Sequence, residues 1–149
     1  KQCQVAGIQL EVALLDRAAT HLPRNSSLPK VAGDALELPF RDASFDLVAS
    51  SLFVHHLDSG EVVRFLSDAL RVCRTAILVH DLVRHPVHLW FALAGTPLYR
   101  SRITRNDAPA SVRQAYTPDE IREFALCAGA AGVEIQRHFF FRMGVIAWK

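Results

Sequence analysis

The sequence has few cysteines, no long apolar run and no surplus of either charge. Its three cysteines, Cys3, Cys73 and Cys127, are far apart and form no CxxC pair. That pattern offers neither a zinc ligand set nor a secreted disulfide framework, so buried free thiols in a reducing compartment are expected. The most apolar stretch, Phe45 to Val54, is too short and too interrupted to span a bilayer, and Lys1 onward does not read as a secretory leader, so none is expected. Lys and Arg number 17 against 15 Asp and Glu, a formal charge of +2, so bulk charge gives no support for a nucleic-acid partner. There is no internal repeat. What remains is 149 residues, half of them hydrophobic, enough for one domain with a packed core. A cytoplasmic protein is expected, with no clear nucleic-acid or membrane signal.

Apolar periodicity gives the element order. Ile8 to Leu15 alternates and then runs continuously apolar, as a strand does on entering a sheet interior. Ala18 to Leu22 predicts a short helix stopped by Pro23, and Leu28 to Ala32 a short strand. Phe45 to Ser51 predicts a strongly buried strand. Asp58 with Glu61 three positions on is a capping box, followed by an apolar helix face of Val62, Phe65, Leu66, Ala69 and Leu70. Thr75 to Val79 predicts the next strand, ending at His80-Asp81. Residues 82–116 form a variable segment, divided by Pro86, Gly95-Thr96-Pro97 and Asp107-Ala108-Pro109, with Trp90, Phe91, Leu93 and Tyr99 on a short apolar helix. Thr117-Pro118-Asp119-Glu120 starts the last helix with a cap, a first-position proline and a third-position glutamate. Val133 to Phe141 and Met143 to Trp148 predict a terminal antiparallel pair, with a turn or bulge at Arg142-Met143-Gly144. Strands alternating with helices favour an open α/β sheet.

The chemistry-bearing stretch is Val31 to Leu57. Asp16 ends one apolar strand, where a carboxylate can accept from the hydroxyl pair of a ribose; a solvent-facing or capping aspartate is the plain alternative. Gly33-Asp34-Ala35 adds a second acid at the same expected rim, and an Asp-stabilised turn is its plain reading. Ligands of open α/β sheets bind at that rim.

With these residues in the continuous string GDALELPFRDASFDLVASSLFVHHL, Gly33 to Leu57, the sequence resembles the class I S-adenosylmethionine-dependent methyltransferases. The closer likeness is to the small-molecule subgroup related to ubiquinone and menaquinone methyltransferases. The resemblance implies a Rossmann-like open sheet with a terminal antiparallel strand pair, and S-adenosyl-L-methionine as cofactor. It implies Asp16 and Arg17 at the ribose, Asp34 and Ala35 at the adenine edge, and Ser50 and Ser51 beside the methionine portion. One departure is specific: the glycine-rich E/DxGxGxG segment after the family's first strand does not occur here. The expectation is a partial methyltransferase domain over 1–149 whose first βα unit is missing, and is supplied by upstream sequence, a homodimer partner or another subunit.

Methyl transfer to oxygen or nitrogen can use a proton acceptor. His55, His56 and His80 are the catalytic candidates because they follow strands that end at the rim, and imidazole exchanges a proton near neutral pH. His80-Asp81 is a possible acid–base pair, and loop packing is the bland alternative for each histidine. His85, His88, Tyr99, Arg102 and Tyr116 are candidates to line a cover over a small, partly apolar acceptor, with Trp90 and Phe91 shielding it. The histidines have no metal-ligand spacing. A noncatalytic methyltransferase-like subunit and a nicotinamide-dependent oxidoreductase are the competing functions; the latter lacks both GxGxxG and YxxxK here.

Overall fold

Two capping boxes decide where the main helices begin. In the computed structural model Asp58 accepts from the Glu61 N–H at 2.8 Å, and the Glu61 carboxylate accepts from the Asp58 N–H at 2.9 Å, opening α1 (Ser59–Val72). Thr117 and Glu120 repeat the exchange ahead of Pro118, opening α4 (Pro118–Cys127). Each box satisfies backbone donors that a helix start leaves without partners. The structure describes residues 10–18, 20–22, 27–95 and 102–149, the side chains of 102–105 excepted, and the chain divides into two units, Lys1–Pro39 and Phe40–Lys149.

The first unit is built on a parallel pair, β1 (Leu14–Asp16) and β2 (Lys30–Ala32), with Asp16 opposite Ala32. β1 is shorter than the apolar run implies: Leu10 to Ala13 take no strand pairing, and Ile8 lies outside the described residues. No helix forms among the described residues of 18–22; a turn closed by His21 N–H on the Ala18 carbonyl stands there instead. Gly33 is needed where it is, since a Cβ there would sit 3.0 Å from Pro39 and 3.4 Å from Leu15.

The second unit holds a four-stranded sheet in the order β3–β4–β6–β5, from β3 (Phe45–Ser51), β4 (Cys73–Leu82), β5 (Gly132–His138) and β6 (Arg142–Trp148). β3 and β4 are parallel; β6 runs antiparallel to both β4 and β5. The mixed α/β architecture and the terminal antiparallel pair agree with the sequence reading. β4 runs through His80 and Asp81 to Leu82, because pairing with β6 continues that far.

Alternation gives the sheet two unlike faces. Ile77, Val79, Asp81, Met143, Val145 and Ala147 are buried, packed with α1 and α4 through Val62, Phe65, Leu66, Ile121 and Ala125. The other face carries Ala49, Ser51, Leu78, His80, Gln136, His138, Gly144 and Ile146, which are partly or well exposed. Truncating Phe65 to Ala on the packed side costs about 3–5 kcal/mol.

Two expectations are corrected. Residues 82–116 contain two helices, α2 (Pro86–Ala94) and α3 (Arg102–Gln114), and Pro109 lies inside α3 rather than dividing the segment. A proline there removes one helical hydrogen bond; burial of Pro109 and Val112 and packing on α2 offset the loss. The terminal hairpin turns at Phe139–Phe141, and Arg142, Met143 and Gly144 are strand residues paired with His138, Arg137 and Gln136. Gly144 makes room instead of a turn: a Cβ there would lie 2.7 Å from His138 Nε2.

Candidate functional site

In the first unit Asp16 and Asp34 come to the same end of the β1–β2 pair, where the Gly33 N–H donates to the Asp16 carbonyl at 3.1 Å. Asp16 Oδ1 accepts from the Ala18 N–H at 2.8 Å and lies 3.2 Å from His21 Nδ1. Asp34 Oδ1 accepts from the Leu36 N–H at 2.9 Å. Both carboxylates thus brace their own turns through one oxygen. Among the described residues, Oδ2 of each takes no hydrogen bond. That donor-free oxygen at a strand end is what a ribose hydroxyl or an exocyclic amine requires, so the pair fits a nucleoside. Arg17 is exposed beside Asp16, and Ala35 sits in the turn after Asp34.

In the second unit the histidine loop is organised by one buried carboxylate. Leu52 takes a left-handed backbone (φ 53°) and ends β3, its N–H bonded to the His80 carbonyl at 2.9 Å. The chain then winds through a 3-10 turn, Val54–His56. The backbone N–H groups of Phe53, Val54 and His55 converge on Asp81 Oδ2 at 3.2, 2.7 and 3.3 Å. Asp81 Oδ1 accepts from the Leu82 N–H at 2.7 Å and pairs with His55 Nδ1 at 2.6 Å. Both residues are buried, His55 5% exposed and Asp81 1%. Burial by itself pushes the Asp81 carboxyl up. The hydrogen bonds from His55 and from the backbone outweigh it and leave the group below its ordinary value.

A carboxylate on Nδ1 fixes the imidazole with that nitrogen protonated, so Nε2 is the one able to take a proton. Among the described residues no fully buried side-chain nitrogen or oxygen lacks a partner. His55 Nε2 has none, and it therefore keeps contact with solvent. The His56 ring lies tilted by 41° against that of His55, with ring centres 4.0 Å apart. Its pKa is lowered by burial of the ring and then by the neighbouring His55, against the pull of Asp81 and Asp107. The Tyr116 hydroxyl donates to the Leu57 carbonyl at 2.7 Å and ties down the loop's far end.

His80 does not join this cluster. It precedes Asp81 in the same strand and so faces the opposite way. Register sets it beside Ser51 on one flank and Gly144 on the other. Its ring lies 5.9 Å from that of His138, which the sequence reading did not single out. These residues, with Ala49, Leu78, Gln136 and Ile146, line a cavity of about 400 Å³ on the open face. Ser50 lines the same cavity, although its side chain, paired with Val79, alternates to the opposite side of the sheet from that of Ser51.

Of the cover candidates, His85 accepts from the Val87 N–H at 3.2 Å and caps α2, and His88 Nδ1 lies 3.2 Å from the Val83 carbonyl. Tyr99 and the side chain of Arg102 lie outside the described residues. Among the described residues no three His, Cys, Asp or Glu side chains gather as metal ligands. None of the described helices is long and apolar enough to cross a membrane.

A family model described as a methyltransferase domain matches residues 1–76. No curated protein matches the sequence. Solved structures do match in fold. Human N-acetylserotonin methyltransferase in complex with SAM superposes at TM-score 0.63 with 16% identity, over 93% of this chain and 40% of that one. An O-methyltransferase family 2 protein of Planctomyces limnophilus, in complex with apigenin, gives 0.57 and 19% over 82% of this chain and 35% of that one. A SAM-dependent methyltransferase of Aquifex aeolicus gives 0.61 and 15%, over 93% and 68%. At these identities the likeness is one of fold. The chain spans between 35% and 42% of the length of the first four such structures.

Proposed function

The chain belongs to the methyltransferase domain family, and from that premise we propose that it serves transfer of a methyl group to an oxygen of a small, partly apolar acceptor. S-adenosylmethionine is the donor of this family and supplies an activated methyl carbon, so the protein's own work is to bind, orient and manage a proton.

The observation that carries the oxygen preference is the His55–Asp81 pair. A hydroxyl acceptor must lose its proton as the carbon–oxygen bond forms and the carbon–sulfur bond breaks. His55 Nε2 is the group held ready to receive that proton, because Asp81 commits Nδ1 as a donor. The buried carboxylate then stabilises the imidazolium. Asp81 also clamps the loop through three backbone N–H groups, so the imidazole is fixed in place before any ligand arrives. Within the first unit, Asp16 and Asp34 are the acids suited to the donor's nucleoside.

Calorimetric titration of the native-length protein with S-adenosylhomocysteine and with NAD tests the donor side. S-adenosylhomocysteine should bind and NAD should not, and Asp16→Ala or Asp34→Ala should weaken binding about tenfold or more, as loss of hydrogen bonds to a charged group implies. Binding of NAD, or variants with unchanged affinity, would overturn the reading.

A further inference from the structure

The tip of the β5–β6 hairpin consists of three consecutive phenylalanines, since His138 pairs with Arg142 and leaves only Phe139, Phe140 and Phe141 between them. Phe140 and Phe141 both sit in the left-handed region, at φ 58° and 53°. A turn chosen for its backbone alone takes Gly, Asn or Asp there. Bulky rings in that conformation are strained, and strain of this kind is kept where side chains are used.

Only the third ring turns inward. Phe141 stacks on His85 and His88 at 5.0 Å each, and its carbonyl accepts from the Val83 N–H at 2.8 Å. Phe139 and Phe140 pack on each other at 4.4 Å and stand 84% and 73% exposed. That anchoring seats the hairpin against the start of α2, which has no Asp, Glu, Lys or Arg and leaves Val87, Trp90 and Phe91 exposed.

Charge is arranged around this apolar edge. The phenylalanines lie between Arg137-His138 and Arg142, and no acidic residue occurs from Ile135 to Lys149 or from Leu82 to Asn106. A three-residue tip with rings outermost and guanidinium groups at its base matches the layering of a bilayer surface, acyl chains beneath anionic headgroups. A protein partner could also use aromatic anchors, but a tip flanked by Arg137 and Arg142, with Glu120 engaged in its ion pair with Arg84, is what an anionic bilayer in particular favours.

We propose that the Phe139–Phe140 tip and the exposed side of α2 dock on an anionic lipid surface. This stands independently of the methyl-transfer reading, since it invokes neither His55 nor the nucleoside-facing acids.

Vesicle sedimentation of the native-length protein tests it, with phosphatidylcholine alone and with phosphatidylglycerol added. The protein should sediment with the anionic vesicles, less so as salt rises. Phe139→Asn with Phe140→Gly should reduce partitioning at least about tenfold, as loss of two inserted rings implies. The same double change should leave the thermal transition at or above the wild-type midpoint, because glycine at position 140 takes the left-handed backbone without strain. Arg137→Gln with Arg142→Gln should abolish the preference for phosphatidylglycerol. The proposal is overturned if the wild type ignores anionic vesicles or if the Asn-Gly variant binds them equally. It is overturned too if the double change instead dissolves a dimer seen in sedimentation velocity, which would make the tip a contact between copies.

Discussion

His80 and Asp81 are neighbours in β4, yet they serve opposite sides of the sheet. Asp81 faces the helices, is 1% exposed, and gathers the Phe53–His55 backbone and the His55 ring around it. His80 faces the other side, beside Ser51, Gly144 and the ring of His138. The contrast separates two kinds of polar residue in one strand. A buried carboxylate with every bond satisfied sets a loop's conformation, whereas a half-buried imidazole beside a cavity makes no such clamp. Adjacency in sequence suggests a pairing of His80 with Asp81; the ring that is hydrogen-bonded to Asp81 is that of His55, 26 positions away.

The largest effect should come from breaking the buried side. Asp81→Leu strands the N–H groups of Phe53, Val54, His55 and Leu82 together with the His55 ring, and should cost about 3–5 kcal/mol in chemical denaturation. Asp81→Asn, which keeps an acceptor, should cost about 2 kcal/mol. Acid sharpens the point. The folded-state pKa of Asp81 is lowered, so its stabilisation is present above the unfolded carboxylate value, about 3.9, and is lost as pH falls towards the folded one. Wild-type stability should therefore drop below about pH 4, and Asp81→Asn should flatten that part of the curve. An unchanged acid limb in the variant would mean that the carboxylate is not held as described.

Changes on the open side should be small. His80→Ala should alter stability by less than about 0.5 kcal/mol. Gly144→Ala should be similarly mild, because the clash at 2.7 Å falls on the exposed, movable ring of His138; it should still shift the His80 and His138 imidazole resonances by separating the two rings. A large loss of stability in either variant would show that the open face is packed in solution, and would erase the difference between the two sides.

What could be read from the sequence follows the range of the forces involved. The helix starts at Asp58 and Thr117 came out as expected because capping boxes are local, three residues wide. The bounds of β3 came out at Phe45–Ser51 because its apolar run is bounded by polar residues on both sides, but the strong burial expected of it did not: β3 is the edge strand of its sheet among the described residues, none of its residues is buried, and Leu47 is 47% exposed. The Asp16–Asp34 rim was legible because parallel strands bring like ends together. The hairpin turn was misplaced because glycine usually marks turns, whereas Gly144 answers to the His138 ring and the turn itself is made of phenylalanines. α3 was missed because Pro109 breaks helices in isolation, and only tertiary packing offsets it here. The His55–Asp81 pair and the His80–His138 contact depend on strand register, and no local pattern gives that. The aromatic tip escaped notice as a surface feature because a search for membrane contact looks for long apolar runs, and three rings are too few.

The decisive measurement is kcat/KM for methylation of a phenolic acceptor by the native-length protein, compared across wild type, His55→Gln and His80→Ala. The account predicts that His55→Gln lowers kcat/KM about a hundredfold or more, while His80→Ala stays within about threefold of wild type. A His55→Gln enzyme as active as the wild type, alongside a His80→Ala enzyme that has lost activity, would contradict the assignment and move the proton to the open face.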